Sequence, residues 1–271
     1  MTKIAFIGAG NMNGAIIKGL VGQGIPAKNI IVSNPSAPKR EAMADKFGIL
    51  QTPSNDEAVA FADVVILGVK PHLISEVCQA IANHADISTK CFISVAAGTT
   101  IKQMQSALEQ PCSVIRTMPN TPSELGLGVT GLYACERSTD EEKTLATKLM
   151  SAVGETVWCN SELQIDQITT ISGSGPAYFF LFMEAMVENA KAYGFDEQTC
   201  RRIVQQTAAG AAEMVKENPE LEIGTLRENV TSKGGVTQAA LNSFVDDGLP
   251  QLVTNAVKAA LHRTQEMAQN K

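Results

Sequence analysis

The sequence predicts two domains of different class: an α/β domain over residues 1–161 and an all-helical domain over 162–271. Three observations predict this division. Short apolar, β-rich runs alternate with helical patterns through the first part, the rhythm of parallel strands joined by crossover helices. The opening run Lys3-Ile4-Ala5-Phe6-Ile7 stops at Gly8-Ala9-Gly10, and a helical stripe follows through Ala15, Ile16 and Leu20. Beyond residue 162 nothing alternates like a strand, and long apolar-periodic stretches rich in Ala take over.

The first strand, turn and helix have the pattern of a Rossmann-like dinucleotide-binding unit. Gly8 permits the tight turn, Gly10 lets a pyrophosphate approach the backbone, and the helix start supplies the field. The third fingerprint position falls on Asn13, with Gly14 one step late; asparagine is bulky where helix and strand should nearly touch. A second strand, Asn29 to Asn34, ends on an amide where an NAD enzyme would carry a carboxylate for the ribose 2′-hydroxyl. With Ser33, Asn34, Lys39 and Arg40 there instead, NADP is expected over NAD.

Phe47-Gly48-Ile49 leads to a short strand, and Thr52-Pro53-Ser54-Asn55 forms a turn. Asp63 to Val69 is apolar on both faces, as a central parallel strand should be. It stops at Lys70-Pro71-His72, at the strand end where such sheets bind ligands. Cys91 to Val95 runs into Ala96-Ala97-Gly98, whose small residues leave room for a flat ring. Ser113 to Arg116 runs into Thr117-Met118-Pro119-Asn120-Thr121-Pro122, a rigid polar loop at the same edge. Gly128 to Thr130 and Glu155 to Trp158 read as two more strands flanking a helix over Asp140 to Ser151, with Trp158 as a core or interface anchor.

In the second domain a helix through Ile165, Ile168 and Ile171 is expected to break at Ser172-Gly173-Ser174-Gly175-Pro176. Pro176 then opens a long helix. A further helix runs from Glu197 to Lys216 and stops at Asn218-Pro219, and the last spans Leu249 to Gln269. Stripes this small and apolar make a thin core for one chain, so a homodimer at least is expected.

Within that domain lies the stretch Asn229-Val230-Thr231-Ser232-Lys233-Gly234-Gly235-Val236-Thr237, ahead of another apolar-periodic helix. A glycine pair turned outward before a helix start is a seat for a small anion such as a carboxylate. Thr237 adds a hydroxyl beside it.

Bulk properties narrow the partners. A net charge of −6 with no basic block excludes nucleic acid and anionic membranes as expected partners. No apolar run reaches spanning length, and no signal-peptide cleavage pattern follows the first strand. The six cysteines are scattered without C-x-x-C spacing, as free thiols of a cytoplasmic protein would be. His72, His84 and His262 do not pair at ligand spacing, so no metal is expected.

A dinucleotide domain implies hydride transfer, with the protein supplying orientation. The chain shows no obvious strong general acid beyond His72. An iminium, which becomes a neutral amine on accepting hydride, suits that better than a ketone. Two rivals stand beside this reading. A two-domain hydroxyacid dehydrogenase would need Lys191 or Lys233 to manage the hydroxyl proton. A dinucleotide-binding sensor or assembly protein would have lost turnover altogether.

FIGAGNM at 6–12, VKP at 69–71, RTMPNTP at 116–122, SGSGPAY at 172–178 and LRENVTSKGGVT at 226–237 together resemble the pyrroline-5-carboxylate reductase family over essentially the whole length. The resemblance implies NADPH-dependent (NADH more weakly) reduction of 1-pyrroline-5-carboxylate to L-proline, the last step of proline synthesis. It implies an N-terminal dinucleotide domain and a C-terminal helical dimerisation domain, with dimers able to assemble five at a time into decamers. Carried over by position, Ile7, Gly8, Ala9, Gly10, Asn11, Met12, Ser33, Asn34, Asn55, Val69, Lys70, Pro71, His72, Ala96, Ala97 and Gly98 would touch the cofactor. Asn229, Gly234, Gly235, Val236 and Thr237 would surround the substrate, with Thr237 as the catalytic residue, bonded to the ring nitrogen. Lys233, where the family commonly has proline, and Asn13, where it has a small residue, depart from the pattern.

Overall fold

A computed structural model of the chain describes residues 2–269, with side chains to residue 266. The chain divides into two compact units, one reaching Ser174 and including the chain from Ala260 onward, the other Gly175–Ala259.

The first unit is built on an eight-stranded sheet: β1 Ile4–Ile7, β2 Ile30–Ser33, β3 Leu50–Thr52, β4 Val64–Leu67, β5 Cys91–Ser94, β6 Ser113–Met118, β7 Gly128–Ala134 and β8 Gly154–Trp158. Spatial order is β3-β2-β1-β4-β5-β6-β7-β8. All neighbours are parallel except β6 and β7. Order therefore reverses between β1 and β4, and that switch point is where an open α/β sheet leaves a crevice. The antiparallel β6–β7 step was not visible in the sequence. It arises because Thr121–Leu125 forms only a short 3₁₀ turn, too brief for the crossover a parallel partner needs.

Helices cover both faces. In chain order they are α1 Asn11–Gly22, α2 Ala37–Phe47, α3 Asn55–Phe61, α4 Ile74–His84, α5 Ile101–Leu108, α6 Asp140–Met150 and α7 Glu162–Ile168. Alternate strand residues feed two cores, because successive side chains point to opposite faces. Ala5, Ile7, Val65 and Leu67 pack with Ile74, Cys78 and Ile81 of α4 and Met104 of α5. Ile4, Phe6, Val64 and Ile66 pack with Ile16, Ile17 and Leu20 of α1 and Leu149 of α6. At roughly 1.5–3 kcal/mol per buried side chain, these two layers dominate the stability of the unit.

Among the helices that the sequence did not reveal are α3 and α5. The presumed Thr52–Asn55 turn leads directly into α3, where Ser54 caps by accepting from the Glu57 amide. In α5, Thr100 and Gln103 form a reciprocal capping box that starts a helix of only eight residues. The expected break after α7 is instead one π-helical turn, Thr169–Gly173. Thr169 and Ser172 satisfy carbonyls four residues back with their hydroxyls, which lets the chain widen without losing its bonding.

The second unit contains α8 Gly175–Ala192, α9 Glu197–Glu217, α10 Ile223–Asn229, α11 Val236–Asp246 and the beginning of α12 Leu249–Gln269. Its α8 is apolar nearly all round. Phe179, Phe180 and Leu181 are 71%, 62% and 67% exposed, so this helix lacks the cover that its composition demands. Asn229, expected in a polar loop, is the last residue of α10.

Candidate active site

The strand ends bring the first group of predicted residues to one edge. Register places Ser33, Ile7, Leu67, Ser94 and Arg116 in one row across β2, β1, β4, β5 and β6. Everything following these residues emerges at the same carboxyl edge. That gathers Gly8 to Met12, Asn34, Val69 to His72 and Ala96 to Gly98, and Asn55 joins them from the first turn of α3.

At the centre is the glycine turn. Gly8 has φ +101°, and a Cβ there would lie 2.8 Å from the Gly68 carbonyl oxygen. Only glycine combines that dihedral with that approach. The turn is zipped on both sides, with the Gly8 amide donating to Ser33 O (2.8 Å) and the Gly68 amide to Ile7 O (2.9 Å). Gly10 caps α1 in an extended conformation without a side chain in the way. The first amides of α1, from Asn11 on, lie too early in the helix for intrahelical partners and carry the positive end of the helix dipole. A pyrophosphate fits this cradle: neither Gly8 nor Gly10 puts a side chain between it and the backbone, and a helix start supplies the donors.

Asn13 does not loosen the turn, contrary to the expectation from its size. Its side chain is fully buried, and its Nδ2 donates to Gly8 O at 2.7 Å and to Ile7 O at 3.3 Å. Room for it comes from Gly68, where any Cβ would overlap the Asn13 carboxamide.

At the end of β2 the amide and hydroxyl groups are mutually engaged. Asn34 accepts from the Ala9 amide (3.2 Å) and donates to Ser36 O (3.3 Å), and Ser33 donates to Asn55 Oδ1 at 2.6 Å. The two cations divide. Arg40 braces the segment, donating to Asn34 O, Pro35 O and Gln51 Oε1. Lys39 instead lines a cavity of about 290 Å³ together with Ala9, Gly10, Asn11, Lys18 and Lys46.

Farther along the edge, Lys70 and His72 are exposed and Pro71 opens a 3₁₀ turn before α4. Gly98 takes a positive φ of +64° in the small-residue turn after β5. The Pro119–Pro122 loop is held by Asn120, whose Nδ2 donates to Ser172 O (2.9 Å) and whose Oδ1 accepts from the Val129 amide (2.8 Å). Sequence reasoning also missed a buried ion triad. Arg116, 2% exposed, reaches Asp166 at 2.6 Å and Glu162 at 3.2 Å. Glu162 Oε1 also accepts from the Ile101 amide at 2.7 Å, which ties the turn after Gly98 to α7. No local pattern announces such a triad, because its members are 46 and 50 residues apart.

In the second unit, Gly234 has φ +72° and Gly235 caps α11. Both amides have internal partners: Gly234 N donates to Gln238 Oε1 (2.5 Å) and Gly235 N to Ser232 O (3.0 Å). Val236, 90% exposed, and Thr237 lie in the first turn of α11, whose amides precede the intrahelical ladder. Gln238 was not anticipated, although a glutamine at the third helical position is a recognisable capping signal. Lys191, one of the two lysines a hydroxyacid dehydrogenase could use, is held by Glu188 at 2.9 Å on an exposed helix face. The hydrogen bond and charge of Glu188 raise its pKa, so it stays an ammonium and is a poor base.

Burial pushes the thiols of Cys78 and Cys91 up to about 12, so they stay protonated and unreactive at neutral pH. Among the described residues no group of three or more His, Cys, Asp or Glu is placed to hold a metal ion, and no helix is long and apolar enough to cross a membrane.

Comparison with known proteins converges on one family. The family model for pyrroline-5-carboxylate reductase dimerisation matches residues 162–267, and that for NADP oxidoreductase, coenzyme F420-dependent, matches 3–98. A pyrroline-5-carboxylate reductase of Vibrio alginolyticus is 48% identical over 98% of this chain and 97% of its own length. The solved reductase of Coxiella burnetii superposes with TM-score 0.93 at 39% identity, covering 98% of both chains. That of Plasmodium falciparum, solved with NADP bound, gives TM-score 0.87 at 27% identity over the same share of each chain. The chain belongs to the pyrroline-5-carboxylate reductase family.

Proposed function

We infer that the protein reduces 1-pyrroline-5-carboxylate to L-proline with a reduced nicotinamide dinucleotide. The observation that carries this is the near full-length identity of 48% to a reductase of that name. When bound, the cofactor supplies the hydride that C5 of the protonated cyclic imine accepts. The chain's part is to bind and orient. The Gly8–Gly10 turn and the first amides of α1 receive the pyrophosphate, and the Ala96–Gly98 turn leaves room for the nicotinamide. Val69 to His72 line the strand end between them. The segment ending at Thr237 receives the substrate. A carboxylate oxygen there takes the first-turn amides of α11, and at Gly234 it replaces Gln238 Oε1, an acceptor of the same shape. Asn229 and Val236 flank that seat, and the Thr237 hydroxyl aligns the ring nitrogen. No side-chain acid is required, since the imine arrives protonated.

Thr237→Ala should lower kcat by roughly 10–100-fold, the range of a lost orienting hydrogen bond, while the NADPH Kd stays within about twofold. Steady-state kinetics and fluorescence titration on one preparation measure both. Unchanged turnover would remove Thr237 from the mechanism. The reaction itself is tested by NADPH oxidation with 1-pyrroline-5-carboxylate, beside hydroxyacids as controls. Consumption only with a hydroxyacid would point to the dehydrogenase, and binding without consumption to a sensor.

The preferred cofactor is NADPH. This rests on the missing carboxylate after β2, on Lys39 facing the cavity beside Gly10, and on the NADP bound in the Plasmodium relative. Lys39→Ala should raise KM for NADPH about fivefold, as for an exposed cation–phosphate contact, and leave KM for NADH unchanged. Equal effects on the two would dismiss Lys39. The working form is a homodimer that covers α8, with the functional division between domains at residues 161 and 162. Five such dimers make a decamer, which sedimentation would distinguish from the dimer. Free, buried thiols suit a cytoplasmic setting.

A further inference from the structure

The Gly8–Ala9 peptide is gripped at both edges. Its carbonyl accepts from Asn13 Nδ2 at 2.7 Å, and its N–H, on the Ala9 side, donates to Asn34 Oδ1 at 3.2 Å. A trans peptide is planar with its C=O and N–H pointing oppositely, so two such bonds fix the rotation of the plane. That rotation sets the direction in which the chain leaves Gly8 towards Gly10 and the first amides of α1. Glycine at 8, without a Cβ, has little intrinsic preference to hold this setting itself.

Asn13 is also an unusual occupant of its place. It is fully buried, and its Oδ1 finds no partner within the protein. Leaving a buried acceptor unpaired is destabilising, a cost that an apolar side chain of the same size would not incur. Packing alone therefore does not account for asparagine here, whereas its two donor bonds to Gly8 O and Ile7 O do. Space for the amide depends on Gly68, itself bonded through its N–H to Ile7 O. The two residues form a matched pair, one large and one without a side chain, across the contact between α1 and the end of β4.

We propose that Asn13 is a positioning residue for the phosphate-binding turn, paired with Gly68, and that it tunes affinity for the pyrophosphate of the dinucleotide. This rests on the reading of the turn as the cofactor site.

The test compares wild type with Asn13→Leu, which keeps the volume and removes the amide. Two ligands are titrated: NADPH, and adenosine 2′-monophosphate, which carries no pyrophosphate, by competition against NADPH fluorescence. Positioning predicts an NADPH Kd at least about tenfold higher with the nucleotide Kd unchanged within twofold. Should the leucine variant fail to fold, Asn13→Gly combined with Gly68→Ala refills the space from the strand side and should show the same split. Gly68→Ala alone should weaken NADPH more than the double variant does, because its Cβ overlaps the Asn13 amide. Equal losses for both ligands, or none for either, would overturn the proposal. Wild type that binds no NADPH would instead overturn the cofactor site itself, so the two failures are distinguishable.

Discussion

A Gly8→Ala variant is expected to bind NADPH at least about 100-fold more weakly than wild type, a loss of roughly 2.7 kcal/mol. Two effects add in the same direction. The φ of +101° is strained for any residue with a Cβ, at a cost of about 1–3 kcal/mol. The new methyl would also meet the Gly68 carbonyl oxygen at 2.8 Å, so β1 and β4 must part at the switch point of the sheet. The cradle proposed for the pyrophosphate opens where the two strands separate. Ile7 and Leu67, next to this turn, belong to one hydrophobic layer, so far-ultraviolet circular dichroism is recorded beside the titration to show that the variant is folded. Fluorescence titration with NADPH gives the result directly. Wild-type affinity in a folded variant would mean that the phosphates sit elsewhere.

The second large effect concerns folding. Arg116→Ala should lower unfolding free energy by about 3–5 kcal/mol, the usual consequence of removing one partner from a buried ion pair. Arg116 is nearly inaccessible, while Glu162 and Asp166 are 29% and 14% exposed, so solvent screens the carboxylates in part and the lower end of that range is expected. The variant leaves two carboxylates facing each other beside a cavity. Glu162→Gln should cost less, since an amide oxygen can still accept from the Ile101 amide. Denaturant midpoints for the three proteins rank them. If Arg116→Ala unfolds at the wild-type midpoint, the triad contributes nothing to holding α7 against the sheet.

Legibility followed physical range. The glycine turn could be read because strand, Gly-x-Gly and helix are consecutive, and each residue's role follows from its neighbours. Asn13 looked like a defect for the same reason. Its compensation lies at Gly68, more than fifty residues away, and no local pattern joins them. Gly234-Gly235 was visible as a turn before a helix. The capture of the Gly234 amide by Gln238 was not, because it depends on the rotamer of a side chain one turn into α11. Lys39 and Arg40 are adjacent in sequence and looked equivalent. Folding separates them, since successive helix residues point about 100° apart, and only one turns to the cavity.

The sequence by itself determined the class of each half, the succession of strands β1 to β5 along the chain, the position of the glycine turn and the family. These follow from periodicity, glycine placement and contiguous motifs, all of them short-range. Tertiary structure alone decided the antiparallel β7, the triad at Arg116, the clamp of Asn13 and Asn34 on one peptide, and the division of labour between Lys39 and Arg40. Each of these depends on which distant backbone or side chain occupies the next few ångströms, and that is settled only when the sheet has assembled.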